Sequence, residues 1–313
     1  MFELKPIPSV PEFKPKFVER YSKLTDWETY KKYTLSFLRK SIRINTLKKP
    51  VNEITRRLSH NWVLEQVPWC PEGFYLEHKL GRLDVGNTVE HCLGYYYVQE
   101  AASMIPPLVL DPGPDERVLD VAAAPGSKAS QMAQMMQNKG VLVANDVAGI
   151  RLAALGINLQ RCGVLNAITT QMKGEQMTGM EFDKVLLDAP CSGTGTIRKS
   201  IKTILMWNPD MIKRIAATQR RLIMAAYKLV KPGGTLVYST CSTEPEENEA
   251  VVSYLLDNAD AKVEKIDLSG LKRSPAATEF EGRTYRKEVK DCLRLWPQDN
   301  DTEGFFVTKI TRP

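Results

Sequence analysis

From Arg117 onward, short apolar runs alternate with longer amphipathic ones, and no other feature of the chain narrows its fold as much. Residues 118–121, 141–144, 167–170, 182–187 and 235–239 read as strands. Helical patterns follow them at 127–137, 150–161, 209–230 and 245–256. Pro209 opens its helix in the first turn, where a missing N–H is harmless. Strands joined through helices run parallel, with helices on both faces of the sheet. A last pair, 292–295 and 305–310, is close enough in sequence to form an antiparallel, hairpin-like pair. The expected fold class is therefore α/β. Asp111-Pro112-Gly113-Pro114, just before the first strand, marks a boundary, and the mixed α+β region ahead of it has no topology legible from pattern.

In an open parallel sheet, ligands bind outside the carboxyl ends of the strands. Residues 120–128, Asp146, residues 188–191 and Cys241 all fall on that edge. The turn Ala122-Ala123-Ala124-Pro125-Gly126-Ser127-Lys128 leads from the first strand into the first helix. Its small residues admit a ligand close to the backbone, and the helix start offers free N–H groups. It is not G-x-G-x-x-G, which disfavours a dinucleotide. Asp146, at the end of the second strand, suits a ribose diol, although an acid there is also a good helix cap. A nucleoside cofactor without a pyrophosphate fits best, and S-adenosylmethionine is the leading candidate.

Two thiols, Cys191 after Leu186-Leu187-Asp188-Ala189-Pro190 and Cys241 after Tyr238-Ser239-Thr240, share the same ligand edge on strands expected to be neighbours. The other cysteines, 70, 92, 162 and 292, read as small buried hydrophobes. None of the six is paired as C-x-x-C, and three scattered histidines add no ligand spacing, so no metal site is expected. The chain has 313 residues, 43% of them apolar and 26% charged, with no apolar run near the roughly 20 residues of a membrane span. Its early acid and prolines do not read as a signal peptide, so a cytoplasmic protein is expected. Residues 1–60 hold 14 Lys and Arg against six acids, and the remainder of the chain sums to −2. A basic first segment on a nearly neutral body suits a polyanion-binding module, although a solvated basic face is the plainer reading.

VLDVAAAPGSKASQMA, LLDAPCSGTGTIRK and LVYSTCSTEPEENE resemble the Nop/Sun family of RNA 5-methylcytosine methyltransferases, its archaeal members above all. SIRINTLK (41–48), YYVQEAAS (96–103) and LWPQDNDTEGFF (295–306) extend the resemblance over nearly the whole chain. It implies a Rossmann-like class I methyltransferase domain over 111–313 and a smaller α+β RNA-binding domain over 1–110. It implies Cys241 as nucleophile, Cys191 as the residue assisting release, Asp188 on the base edge, and Lys128 positioning the base or stabilising the thiolate. The implied cofactor set is Ala122, Ala123, Ala124, Pro125, Gly126, Ser127, Lys128, Asp146, Arg151 and Asp188.

Chemistry gives two thiols a reason to be there. Carbon 5 of cytosine becomes nucleophilic only after addition at carbon 6, which a thiolate can supply; a base must then remove the carbon 5 proton. The target base must leave its stack, with Arg43, Asn45 and the basic segment expected to hold RNA, transfer RNA ahead of ribosomal RNA. Neither DNA nor a membrane is expected as partner, and the chain is taken as a monomer. At Lys173 the family usually has an acid near the adenine edge, which keeps open a non-catalytic RNA-binding relative. A methyltransferase of another nucleophile is the alternative within enzymes.

Overall fold

The computed structural model describes residues 4–313. Two short helices, α1 (Pro15–Ser22) and α2 (Trp27–Thr34), lead into β1 (Ser41–Ile44), α3 (Val51–Leu58), β2 (Trp62–Gln66), β3 (Gly73–His78), α4 (Val89–Cys92) and β4 (Tyr96–Val98). These four strands form an antiparallel sheet in the order β2-β3-β1-β4, with Ile42, Ile44, Ile54, Leu58, Trp62 and Phe74 in its core.

Next come α5 (Ile105–Leu110), β5 (Arg117–Asp120), α6 (Ser127–Met135), β6 (Val141–Asn145), α7 (Gly149–Cys162), β7 (Ala167–Thr170) and β8 (Phe182–Asp188). They are followed by α8 (Lys202–Met206), α9 (Pro209–Lys228), β9 (Val230–Thr240), α10 (Glu249–Asn258) and β10 (Lys262–Glu264). A two-residue ribbon, β11 (Glu279–Phe280) and β12 (Arg283–Thr284), precedes β13 (Leu293–Leu295), α11 (Pro297–Asn300) and β14 (Phe305–Thr311). The large sheet runs β10-β14-β9-β8-β5-β6-β7. Its five consecutive members β5 to β9 pair in parallel, as the alternation predicts; β14 lies antiparallel to β9, and β10 closes that edge antiparallel to β14. The expected antiparallel partnership of residues 292–295 and 305–310 is that of β13 and β14.

Local chemistry sets the element ends. Asn208 caps α9, its side chain accepting from the Asp210 N–H at 2.9 Å, with Pro209 in the first turn. Ile212, Ala216, Ile223 and Ala226 then recur at helical spacing and are buried. α7 ends at Gly163, whose φ of 73° only glycine adopts freely. The helix expected from residue 245 begins instead at Glu249, because residues 244–248 have their polar groups drawn into the loop that follows β9.

The amino-terminal helices do not stand apart. Phe17, Tyr21 and Tyr30 pack with Trp207, Ile212 and Trp296, and Phe17 stacks on Tyr21 at 3.9 Å. The Tyr21 hydroxyl bonds Thr243 and Glu244 at 2.8 Å each, so α1 braces the segment just beyond Cys241. α5 likewise buries Ile105, Val109 and Leu110 with Val118 and Val237 of the large sheet.

Arg43 and Asn45 correct an expectation. Both are 1% exposed. Arg43 donates to Ser130 of α6 at 2.9 Å, and Asn45 donates to the carbonyls of Gly94 and Cys162 at 2.9 and 2.7 Å. They clamp the small sheet onto α6 and α7 and are out of reach of RNA. Their polar character suggested a surface; their partners lie far away in sequence. Cys92 is corrected as well: it is exposed, whereas Cys70, Cys162 and Cys292 are buried. Among the described residues no helix is long and apolar enough to cross a membrane.

Candidate active site

The carboxyl ends of β5, β6, β8 and β9 converge on one cavity of about 360 Å³, within the usual small-molecule range. Ala122, Ala124, Asp146, Arg151, Lys173, Asp188, Cys191 and Cys241 all line it. A smaller adjoining recess is lined by Asp120, residues 122–125, Ser127, Lys128 and Asp188. The expected residues therefore share one edge, with Gly126 just behind it at the head of α6. Its φ of 106° demands glycine, and a Cβ there would sit 3.1 Å from Leu155.

Strand pairing sets the thiol geometry. β8 and β9 are adjacent and parallel, with Asp188 opposite Ser239, so the segments leaving the two strands emerge side by side. The Sγ atoms of Cys191 and Cys241 lie 3.2 Å apart, both as free thiols. The contact with Cys241, followed by burial, pushes the Cys191 thiol well above its ordinary range.

Asp188, the last residue of β8, accepts from Lys128 Nζ at 2.7 Å and from the Ser239 hydroxyl at 2.7 Å. Burial works against the Lys128 charge, but Asp188 beside it, reinforced by Cys241 and Asp120, raises its pKa. The ammonium also lies 5.6 Å from the centre of the Phe305 ring. Lys128 is therefore a fixed cation close to both an acid and a thiol.

Asp146 is 1% exposed and accepts from the backbone N–H groups of Ala124 and Ala148 at 3.3 and 3.0 Å. Arg151, half exposed, covers it with an ion pair at 3.1 Å. Lys173 is exposed at the rim, and Glu175, two residues on, lines the same cavity.

The sequence reading placed Asp120 on the ligand edge without a role and missed Asn145 and Ser239. Asp120 is buried with neither carboxylate oxygen hydrogen-bonded, and burial followed by the Asp188 charge lifts its carboxyl to about 7. Asn145 donates to the carbonyls of Val121 and Met172 at 2.9 Å each, and accepts from the Met172 N–H and the Thr170 hydroxyl. It fixes the loops after β5 and β7 around the cavity. Ser239 orients Asp188. Only Asp120, an acid ending an apolar strand, left a trace in the sequence.

Residues 107–311 match the family described as 16S rRNA methyltransferase RsmB/F, and residues 13–101 match the N-terminal domain of 16S rRNA methyltransferase RsmF. The chain belongs to the RsmB/F family. It is 50% identical over 301 residues to the tRNA (cytosine(49)-C(5))-methyltransferase of Pyrococcus abyssi, covering 95% of this chain and 96% of that one. It is 43% identical over 281 residues to the ribosomal RNA small subunit methyltransferase F of Vibrio parahaemolyticus, covering 88% of this chain but only 57% of that longer protein. A crystal structure of a methyltransferase homologue from Pyrococcus horikoshii superposes with a TM-score of 0.82 at 38% identity, covering 96% of this chain and all of that one. RsmB/F membership and this superposition agree with the Rossmann-like methyltransferase fold expected from the motifs.

Proposed function

We propose that this chain transfers the methyl group of S-adenosylmethionine to carbon 5 of cytosine in RNA, with tRNA as substrate. The observation that carries the reading is the pair of sulfurs 3.2 Å apart beside the Lys128–Asp188 ion pair. An amine methyltransferase has no use for a second thiol in contact with the first. The Pyrococcus abyssi relative, matched along nearly its whole length, favours tRNA over rRNA. In this reading residues 1–110 serve RNA binding and 111–313 serve transfer.

The residues present fit the cofactor. Asp146 suits a ribose diol that displaces the half-exposed end of Arg151, and the small residues 122–126 admit the nucleoside close to the backbone. The orphaned Asp120 carboxylate faces the recess beside Lys128, where a cationic amino-acid end would satisfy it. S-adenosylmethionine supplies an electrophilic methyl group at this edge.

The chain's own residues do the rest. Lys128 favours the thiolate of Cys241, whose sulfur forms a bond to carbon 6 of the base. The electrons of the carbon 5–carbon 6 double bond then make carbon 5 the nucleophile. Asp188, held by Lys128 and Ser239, accepts from the exocyclic amino group of the base. After transfer, Cys191 assists removal of the carbon 5 proton, the double bond re-forms, and the Cys241 sulfur leaves.

A tRNA transcript incubated with tritium-labelled cofactor should yield labelled 5-methylcytidine on nuclease digestion. Label confined to an exocyclic amine, or no label at all, overturns the proposal. Asp146→Ala should weaken cofactor binding by about tenfold or more, since hydrogen bonds to a charged group contribute roughly 1.5–3 kcal/mol. Unchanged affinity by calorimetry removes Asp146 from the site.

The basic segment needs sorting before it is tested. Arg20 is buried against Glu244 and Glu246, Arg39 pairs with Asp301, and Arg43 is internal, whereas Lys31, Lys32 and Lys40 are exposed. Neutralising those three lysines should weaken tRNA binding and reduce its salt slope by roughly 0.7–0.9 for each phosphate that they neutralise in the parent. A slope equal to the parent's makes them a solvated face.

A further inference from the structure

We infer that Glu247 is a positioning residue that sets the two thiols against each other, an inference that rests on the methyl-transfer reading above. Glu247 is fully buried in the loop between β9 and α10. Its Oε2 accepts from the Ser192 N–H at 2.9 Å and from Gln219 Nε2 at 3.0 Å. Its Oε1 accepts from the Ser242 hydroxyl at 2.9 Å and from the Ser192 hydroxyl. Ser192 follows Cys191 in the chain, and Ser242 follows Cys241. One carboxylate therefore holds the residue next to each thiol.

The clamp on Cys191 is two-sided. Gln219, buried on α9, also donates to the Pro190 carbonyl at 2.9 Å, so the residues before and after Cys191 are both anchored to this network. Glu247 is itself fixed, because its carbonyl accepts from the Tyr238 hydroxyl of β9 at 2.6 Å. A carboxylate offers about four lone-pair sites, and four donors occupy them. No capacity is left for a substrate, so Glu247 acts through the cysteines. Burial pushes its carboxyl upward while the Ser192, Ser242 and Gln219 bonds pull it down.

Geometry separates the role of shape from that of charge. The two N–H donors on Oε2 can only donate, but the two serine hydroxyls on Oε1 can turn and accept. Glutamine with its amide nitrogen at the Oε1 position reproduces all four hydrogen bonds without the charge. Alanine reproduces none.

The test is single-turnover transfer of labelled methyl to a tRNA transcript, with separate dissociation constants for cofactor and transcript. Glu247→Ala should slow transfer by about 10²-fold, the size attached to a misplacement of roughly 1 Å, with both affinities within about threefold of the parent. Glu247→Gln should recover the rate to within about fivefold of the parent. The inference is overturned if Glu247→Ala transfers at close to the parent rate, if both affinities collapse with the rate, or if Glu247→Gln is as slow as Glu247→Ala. Should Glu247→Ala fail to fold, the double variant S192A/S242A, which retains both Oε2 hydrogen bonds, decides. It should transfer about tenfold more slowly at unchanged affinities, and parent-like transfer overturns the inference. A parent chain that methylates no RNA is seen before any variant is made, and it sinks the proposed function instead.

Discussion

Cys241→Ala is expected to lose methyl transfer and covalent RNA capture together, whereas Cys191→Ala still attacks the base and accumulates as a protein–RNA adduct. Both sulfurs lie 3.2 Å apart on one edge of the sheet, so position alone does not divide their labour. In the proposed mechanism the motifs divide it: by resemblance Ser-Thr-Cys-Ser makes Cys241 the nucleophile and Asp-Ala-Pro-Cys makes Cys191 the residue assisting release. Losing a positioned acid–base group typically lowers turnover by about 10²–10⁴-fold. Turnover in Cys191→Ala should fall on that scale while a shifted protein–RNA band survives denaturing electrophoresis. The two substitutions remove the same small side chain from segments that leave neighbouring strands, so loss of folding does not explain opposite adduct behaviour. A stable adduct in Cys241→Ala with none in Cys191→Ala would reverse the roles.

Gly195→Ala should destabilise the chain and silence it without touching either sulfur. The Gly195 N–H donates to the Cys241 carbonyl at 2.9 Å, and its own carbonyl accepts from the Gly304 N–H at 3.0 Å. Three backbones thus stack with no room for a side chain. A Cβ on Gly195 would sit 2.1 Å from the Gly304 oxygen and 2.8 Å from the Cys241 oxygen. Neither atom is the free end of a flexible side chain, so the backbone carrying Cys241 has to move. Overpacking of this kind costs about 1–3 kcal/mol, and a backbone clash belongs at or above the upper end. At about 3 kcal/mol the melting temperature should fall by roughly 4–6 °C. Gly156→Ala is the control. It lies within α7 with nothing within 4 Å of its Cβ position, and should gain about 0.5–1 kcal/mol. A Gly195→Ala protein that melts with the parent and methylates normally would remove the backbone stack from the account.

The five parallel strands were legible because their apolar runs are local, bounded and separated by helical patterns of adequate length. β9 is the partial exception. It begins at Val230, since Val230 pairs with Phe182 of β8 and Gly233 and Gly234 bond the backbone of Arg312, just beyond β14 and 78 or more residues away. The ligand-edge residues were legible for a related reason: a residue ending a parallel strand faces the same rim wherever the strand sits in the sheet. Arg43, Asn45 and Cys92 went the other way. Polarity and residue type suggest a side chain's usual environment, but a buried arginine depends on Ser130 being present in the folded chain.

The sequence by itself determined the parallel α/β sheet, the rim on which Asp120, Asp146, Asp188, Cys191 and Cys241 lie, and the family motifs that give two thiols a purpose. These follow from periodicity and neighbouring residue types, which are properties of short stretches. Only the tertiary structure decided which cations are free to meet RNA, that Asp120 is buried beside Asp188 with no side-chain hydrogen bond, and that Glu247 spans both cysteine segments. Each of those depends on groups far apart in the chain, such as Ser192 and Glu247, 55 residues apart. Hydrogen bonds act over about 3 Å, so their partners are chosen by the packing of elements and not by their order.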